Sequence, residues 1–158
     1  MSVLRIGLIS DTHGLVRPDV HTALAGVSQI LHAGDVGGQE VLDELALIAP
    51  VQAVWGNTDP PGMPGLVEYL SLELGGLRVR VQHGHEVGRP TPERLLATYD
   101  EDILVYGHTH RQLVTQSAGR LVVNPGAAGH RRFDLLPSVA VLKIVRGAPS
   151  VELIALAG

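Results

Sequence analysis

The sequence predicts an α/β fold in which two sheets pack together with helices outside them. Two observations carry this. Apolar strand-like runs alternate with amphipathic helical stretches through the first half, and the second half is richer in strands separated by glycine- or proline-bearing turns. The 158 residues suit one domain, read as residues 1–158, long enough to bury a full core.

Val3 to Ser10 is almost continuously apolar, the pattern of a strand buried on both faces. Pro18 to Ala25 predicts a short helix, with Pro18 tolerated in its first turn. Gln29 to His32 is a short strand ending at Ala33-Gly34-Asp35. Glu40 to Ala49 carries a helical stripe of Val41, Leu42, Leu45 and Ile48, and Val51 to Trp55 is a third strand. Such alternation predicts a parallel sheet with crossover helices. Gly56 to Gly65, with three prolines and three glycines, reads as a loop at the rim of a site. Leu66 to Leu74 and Leu77 to His83 suggest a hairpin around Gly75-Gly76. Pro92 to Tyr99 predicts another helix and Ile103 to Tyr106 a buried strand. Further strands fall near Gln112–Gln116, Leu121–Asn124, Val139–Val145 and Val151–Leu156.

Composition removes several function classes. With 45% apolar and 18% charged residues the chain is neither disordered nor fibrous. No apolar run approaches the roughly 20 residues of a membrane span. The opening Met1-Ser2-Val3-Leu4-Arg5-Ile6 lacks the layout of an export signal, so a cytoplasmic protein is expected. The absence of cysteine excludes disulfides, thiolate metal sites and cysteine nucleophiles. A net charge of −4 without a basic cluster, and only 3% aromatic residues, argue against long nucleic acid as a partner. Eight histidines, most of them beside glycine or aspartate, point elsewhere.

Five segments place metal-capable side chains just after predicted strands: Asp11-Thr12-His13, Gly34-Asp35, Gly56-Asn57, His83-Gly84-His85 and Gly107-His108-Thr109-His110. Ligands bind at the carboxyl ends of strands in open α/β sheets. Residues two apart in extended backbone point the same way, which would converge Asp11 with His13 and His108 with His110. Each segment has a plainer explanation when taken alone. Asp35 would cap a helix, Asn57 would sit in a turn, and His83 would be an ordinary core histidine. One binuclear centre accounts for all five at once. Asp11, His13, Asp35, Asn57, His83, His108 and His110 are too many ligands for one ion but suit two if Asp35 bridges them. Nitrogen and oxygen donors without thiolate favour manganese, zinc, iron, cobalt or nickel, and manganese is the expected metal. Two divalent ions, two carboxylates and a bridging hydroxide leave the site at about +1, which suits a phosphate ester attacked in line by that hydroxide.

The order Asp-x-His, Gly-Asp, Gly-Asn, His, Gly-His-x-His resembles the calcineurin-like metallophosphoesterase superfamily. Within it, Ser10-Asp11-Thr12-His13-Gly14, His83-Gly84-His85 and Asn124-Pro125-Gly126 look like the small phosphodiesterases of the YfcE type, whose fold is shared with the retromer subunit Vps29. The resemblance runs from Asp11 to about Arg131 and implies a four-layer α/β/β/α sandwich. It further implies one metal held by Asp11, His13, Asp35 and His110 and a second held by Asp35, Asn57, His83 and His108. Asp35, Asn57 and His85 are the expected catalytic residues. Many superfamily members follow Gly-Asn with a histidine; here Thr58 stands there, so the expectation is either a preference for esters with good leaving groups or a substitute acid such as His85 or Asp59. His85 is alternatively a supporting neighbour of the metals. His130, Arg131 and Arg132 form either a solvated basic loop or a contact to substrate phosphate. His21 and His32 look structural, Trp55 and Tyr106 look like core, and no elbow supports Ser10 as a nucleophile. The expected activity is hydrolysis of small phosphodiesters. The alternatives are a phosphomonoesterase acting on nucleotides and a Vps29-like interaction module. No membrane partner is expected, and a homo-oligomer is left open.

Overall fold

Val3–Ile9 forms β1, and its position between two neighbours organises the first sheet. The computed structural model describes residues 3–60, 62–131 and 135–157. β2 (Gln29–His32), β3 (Val51–Val54) and β4 (Leu66–Val67) follow β1 in parallel. On its other side β1 pairs antiparallel with β10 (Ser138–Val145), which pairs with β11 (Ala148–Ala155). The order is β11-β10-β1-β2-β3-β4. Parallel neighbours need crossovers, and α1 (Pro18–Ala23) and α2 (Gln39–Leu45) supply two of them.

The second sheet runs β5-β6-β7-β9-β8. It is built from Leu70–Leu74 (β5), Leu77–Val81 (β6), Ile103–Val105 (β7), Leu113–Ser117 (β8) and Arg120–Asn124 (β9). α3 (Pro92–Thr98) joins β6 to β7, with Thr91 capping its first turn by accepting the Arg94 N–H. β8 and β9 meet through Ala118-Gly119, and β10 and β11 through Arg146-Gly147. Both turn pairs have positive φ, as a tight hairpin requires.

Side-chain alternation sorts the strands into layers. Ile6 and Leu8 of β1 point between the sheets with Leu31, Val54 and Leu142, against Val79, Val81, Ile103, Val105, Leu121 and Val123. Ile9, Ile30, Ala53 and Val141 point the other way, under Val20 and Leu24 and under Val41, Leu42 and Leu45 of α2. Leu104, Tyr106 and Val122 cover the far face of the second sheet beneath Leu95 of α3. The result is the four-layer α/β/β/α sandwich. Gly7 allows a close approach here, since a Cβ on it would lie 3.2 Å from both methyl groups of Leu24.

Two expectations change in detail. The predicted arm Leu66 to Leu74 is two strands: β4 extends the first sheet and β5 starts the second. Leu66, Leu70, Leu72 and Leu74 keep one parity, so the stretch reads as one strand. Yet Leu66 packs in the helix-side core and the other three in the core between the sheets. The helix predicted from Glu40 to Ala49 ends at Leu45 and tightens into turns before Pro50, where Ile48 N–H reaches Leu45 O at 2.9 Å.

Parallel order brings the carboxyl ends of β1, β2 and β3 to one pole, and β6, β7 and β9 bring theirs beside them. Leu142 is fully buried between the sheets, whereas Leu47 is 80% exposed. Leu142→Ala should cost about 2–5 kcal/mol in urea unfolding, and Leu47→Ala should stay within about 0.5 kcal/mol.

Candidate metal centre

The backbone at this pole is bent where the candidate ligands sit. Seven described non-glycine residues have positive φ, and two of them close the hairpins above. The other five are Asp11 (53°), His13 (45°), Asp35 (55°), His108 (70°) and His110 (64°). Such residues cost on the order of 1 kcal/mol or more each, and they persist only where surrounding bonds hold them. Asp11 N–H and His13 N–H donate to Gly34 O and Asp35 O, both at 3.0 Å, and Gly14 N–H donates to Val36 O at 2.9 Å. Asp11 and His13 therefore approach one another through left-handed backbone, not through strand alternation. The same correction applies to His108 and His110.

Glycines make the room. A Cβ on Gly56 would fall 2.0 Å from Asp35 Oδ1, and one on Gly107 would fall 2.0 Å from Ser10 Oγ and 2.6 Å from Asp11 Oδ2. A Cβ on Gly34 would press to 2.7 Å from His83 Nδ1. These positions are open only to residues without side chains.

Two histidine groups flank two buried carboxylates. His13 and His110 have ring centroids 5.4 Å apart, and His83 and His108 lie 5.2 Å apart. Asp35 Oδ2 faces both groups, 3.6 Å from His13 Nε2 and 3.3 Å from His83 Nε2. Its Oδ1 accepts the Thr58 N–H at 3.0 Å. Asp11 Oδ2 accepts Ser10 Oγ–H at 2.6 Å and His108 N–H at 3.1 Å. Asp11 Oδ1, in contrast, is buried with no hydrogen-bond partner among the described residues. It faces His110 Nε2 at 3.4 Å and the Nε2 atoms of His13 and His83 at 3.9 Å each. Asn57 Oδ1 sits 3.0 Å from His83 Nε2 and 3.2 Å from His108 Nδ1. His83 Nδ1 lies 2.8 Å from Ala33 O; donating there leaves Nε2 as the ligand atom of a neutral ring.

Charge is strongly coupled at this point. Burial works to raise the Asp35 carboxyl, but the hydrogen bond and charge of His83, with the Thr58 contact, hold it below the usual carboxylate range. Burial likewise works against a charged His83, yet Asp35 and Asp11 outweigh it and raise the ring. His108 is lowered by burial and by His83. All seven predicted ligands thus meet in one cluster. The unpartnered Asp11 oxygen, the two-sided Asp35 and the mixed nitrogen and oxygen donors fit divalent cations.

His85 stands beside the cluster, its ring 5.3 Å from His83 and 6.3 Å from His108. Its buried Nδ1 has no hydrogen-bond partner among the described residues. Asp59 is not a spare acid: its two oxygens accept the N–H groups of Val36, Gly37 and Gly56 at 2.9–3.0 Å. It clamps the Gly-Asp loop to the Gly-Asn loop. His32 is a second brace. It is fully buried, its Nδ1 accepts Gly34 N–H at 3.0 Å, and its Nε2 meets Thr12 Oγ1 at 2.9 Å. Asn124 is a third, donating to Gly107 O and Thr109 Oγ1. Sequence reading gave no role to Asn124 and the wrong one to Asp59, since backbone partners leave no spacing signal.

The remaining residues sort simply. His21 pairs with Glu44 at 2.8 Å between α1 and α2. Tyr106 is core, and Trp55 packs partly buried against the helix-side cluster. Ser10 serves Asp11. His130 and Arg131 are exposed, and Arg132 lies outside the described residues.

The calcineurin-like phosphoesterase superfamily domain matches residues 4–147. The chain belongs to that superfamily. A probable metallophosphoesterase of Methanothermobacter thermautotrophicus is 34% identical over 88% of this chain and 85% of its own length. A phosphodiesterase of Methanocaldococcus jannaschii is 27% identical over 78% of this chain and 83% of its own. Among solved structures, Vps29 of Entamoeba histolytica complexed with Zn2+ superposes with a TM-score of 0.78. It is 26% identical over 96% of this chain and 99% of that one. Superfamily membership makes the chain a metallophosphoesterase-type hydrolase domain and implies divalent metal ions. No helix among the described residues is long and apolar enough to cross a membrane.

The His32 brace has a pH signature. Burial lowers its ring to about 4, against the pull of Asp11 and Asp59, whereas an unfolded histidine titrates near 6.5. Its contribution is therefore complete above pH 6.5 and is lost as pH falls towards 4, by about 3 kcal/mol in all. Urea unfolding at stepped pH should show that decline, and NMR should find the ring neutral down to about pH 4.

Proposed function

We propose that this chain is a metal-dependent phosphodiesterase acting on small phosphodiesters, with residues 1–158 forming one catalytic domain. The observation that carries the reading is the pair of histidine groups meeting at Asp35, beside an Asp11 oxygen with no hydrogen-bond partner among the described residues. Asp11, His13, Asp35 and His110 would hold one ion, and Asp35, Asn57, His83 and His108 the other. Manganese ranks first, and the zinc in the Vps29 structure supports zinc beside it. Bound divalent ions supply Lewis acidity toward a phosphoryl group and lower the pKa of water.

The chain's own residues do the rest. Thr58 N–H fixes Asp35 so that its second oxygen faces both histidine groups. Ser10 and the His108 N–H turn Asp11 so that Oδ1 faces the imidazoles. Thr58 cannot supply a proton near neutral pH, and Asp59 is fully engaged as an acceptor. The departing alkoxide either takes its proton from His85 or leaves without one, and the second course favours esters with good leaving groups. The phosphodiesterase name of the Methanocaldococcus relative supports diesters over monoesters. A second reading, an interaction module, draws on the likeness to Vps29.

Manganese-loaded protein should hydrolyse bis-p-nitrophenyl phosphate faster than p-nitrophenyl phosphate. Monoester preference would support a phosphatase, and inactivity with metal bound would support the module. Asp35→Asn should abolish turnover and reduce metal content by elemental analysis, because both groups lose their shared carboxylate. Thr58→His should raise turnover on esters with poor leaving groups, by up to about 10²-fold; unchanged rates would count against the preference for good leaving groups and favour His85 as an acid already in place.

A further inference from the structure

The chain is acidic overall, but three of the five arginines that no partner occupies among the described residues lie on loops around the candidate centre. Arg17, Arg78, Arg80, Arg94, Arg120 and Lys143 all spend their charge on partners within the fold. Arg5, Arg89, Arg111, Arg131 and Arg146 have side chains without a hydrogen-bond or ion-pair partner among the described residues. Arg5 lies near the amino end of β1, and Arg146 closes the β10–β11 turn beside it, at the pole opposite the centre. The other three lie on loops that leave the ligand segments, and all three are exposed.

Their placement follows from the backbone. Arg111 directly follows His110. Arg131 comes two residues after Gly129, whose N–H reaches Asp11 O at 3.3 Å and where a Cβ would meet Thr12 O at 2.2 Å. Arg89 precedes Pro90, whose ring would lie 3.1 Å from a Cβ on Gly84. Carboxylates do not offset them. Residues 11–17, 34–39, 56–60, 83–90, 107–112 and 124–131 contain four, namely Asp11, Asp35, Asp59 and Glu86. The first three are buried within the centre or its clamp, and Glu86 accepts Gly84 N–H at 2.9 Å. Among the described residues, three exposed arginines therefore lie on the loops around the centre, two of them on the side of His13 and His110.

We propose that the site takes a phosphoester carrying a second phosphate group, and that Arg111 and Arg131 receive this second phosphate beyond His13 and His110. This rests on the reading of the centre as a phosphoester site and names its substrate class. A guanidinium presents a planar fork that matches two phosphate oxygens, and arginines with no ion pair among the described residues lose none there on binding. One phosphate alone would engage the centre and leave both arginines unused.

Calorimetry on the manganese-loaded protein would compare thymidine 5′-monophosphate with thymidine 3′,5′-bisphosphate. The bisphosphate should bind about tenfold or more tightly at low salt, and its advantage should shrink as ionic strength rises. Arg111→Ala combined with Arg131→Ala should reduce that advantage to about twofold or less, while Arg5→Ala combined with Arg146→Ala leaves it intact. Equal binding of the two ligands, or an advantage that survives loss of both rim arginines, overturns the proposal. Hydrolysis of thymidine 5′-(p-nitrophenyl phosphate) and its 3′-phosphorylated counterpart is followed in parallel. Failure to cleave either, with the arginine-dependent binding preference retained, counts against the phosphodiesterase reading and leaves the second-phosphate site standing.

Discussion

Asp11 and Asp35 are almost completely buried, and they sit where the two sheets meet at their carboxyl-end pole. Removing two carboxylates from water is expensive unless positive charge and hydrogen-bond donors surround them. The rest of this pole follows from that constraint. Hydrogen bonds from Ser10, Thr58 and the His108 backbone satisfy one oxygen of each, and the remaining oxygens face imidazole nitrogens. Such an arrangement calls for cations, which is why the superfamily's metal requirement and this chain's geometry agree.

Holding five residues in left-handed backbone needs support from both sheets. His83 comes from the second sheet and hydrogen-bonds to Ala33 after β2 of the first. Ala128, after β9, donates to Ser10 O, and Asn124 ties the Gly107 loop to the end of its own strand. Asp59 and His32 then lock the loops of the first sheet to each other. The centre is assembled by the packing of two sheets, so core and site stabilise one another. The same frame is shared with Vps29, so the fold by itself does not fix what the site does.

Much of this was legible in the sequence. Strand-end positions and the recurrence of aspartate, asparagine and histidine beside glycine named all seven clustered residues, because ligand chemistry restricts residue type. Periodicity found the strands of both sheets. It misjudged residues 66–74, since an apolar face has the same period whichever sheet it joins. It also gave the wrong local cause for the pairing of Asp11 with His13. Alternation assumes extended backbone, and the positive φ values arise from bonds to loops distant in sequence.

The sequence alone determined the class of fold and the residues that meet in the cluster, since these depend on residue type and local spacing. Tertiary structure decided that Asp35 faces both histidine groups, that one Asp11 oxygen has no hydrogen-bond partner among the described residues, and that Asp59 clamps two loops while His32 braces Gly34 and Thr12. It also decided that three arginines without ion pairs among the described residues, Arg89, Arg111 and Arg131, lie on loops at this pole, while Arg5 and Arg146 lie at the other. Each of these is a relation between segments far apart along the chain, fixed only when the sheets close upon each other.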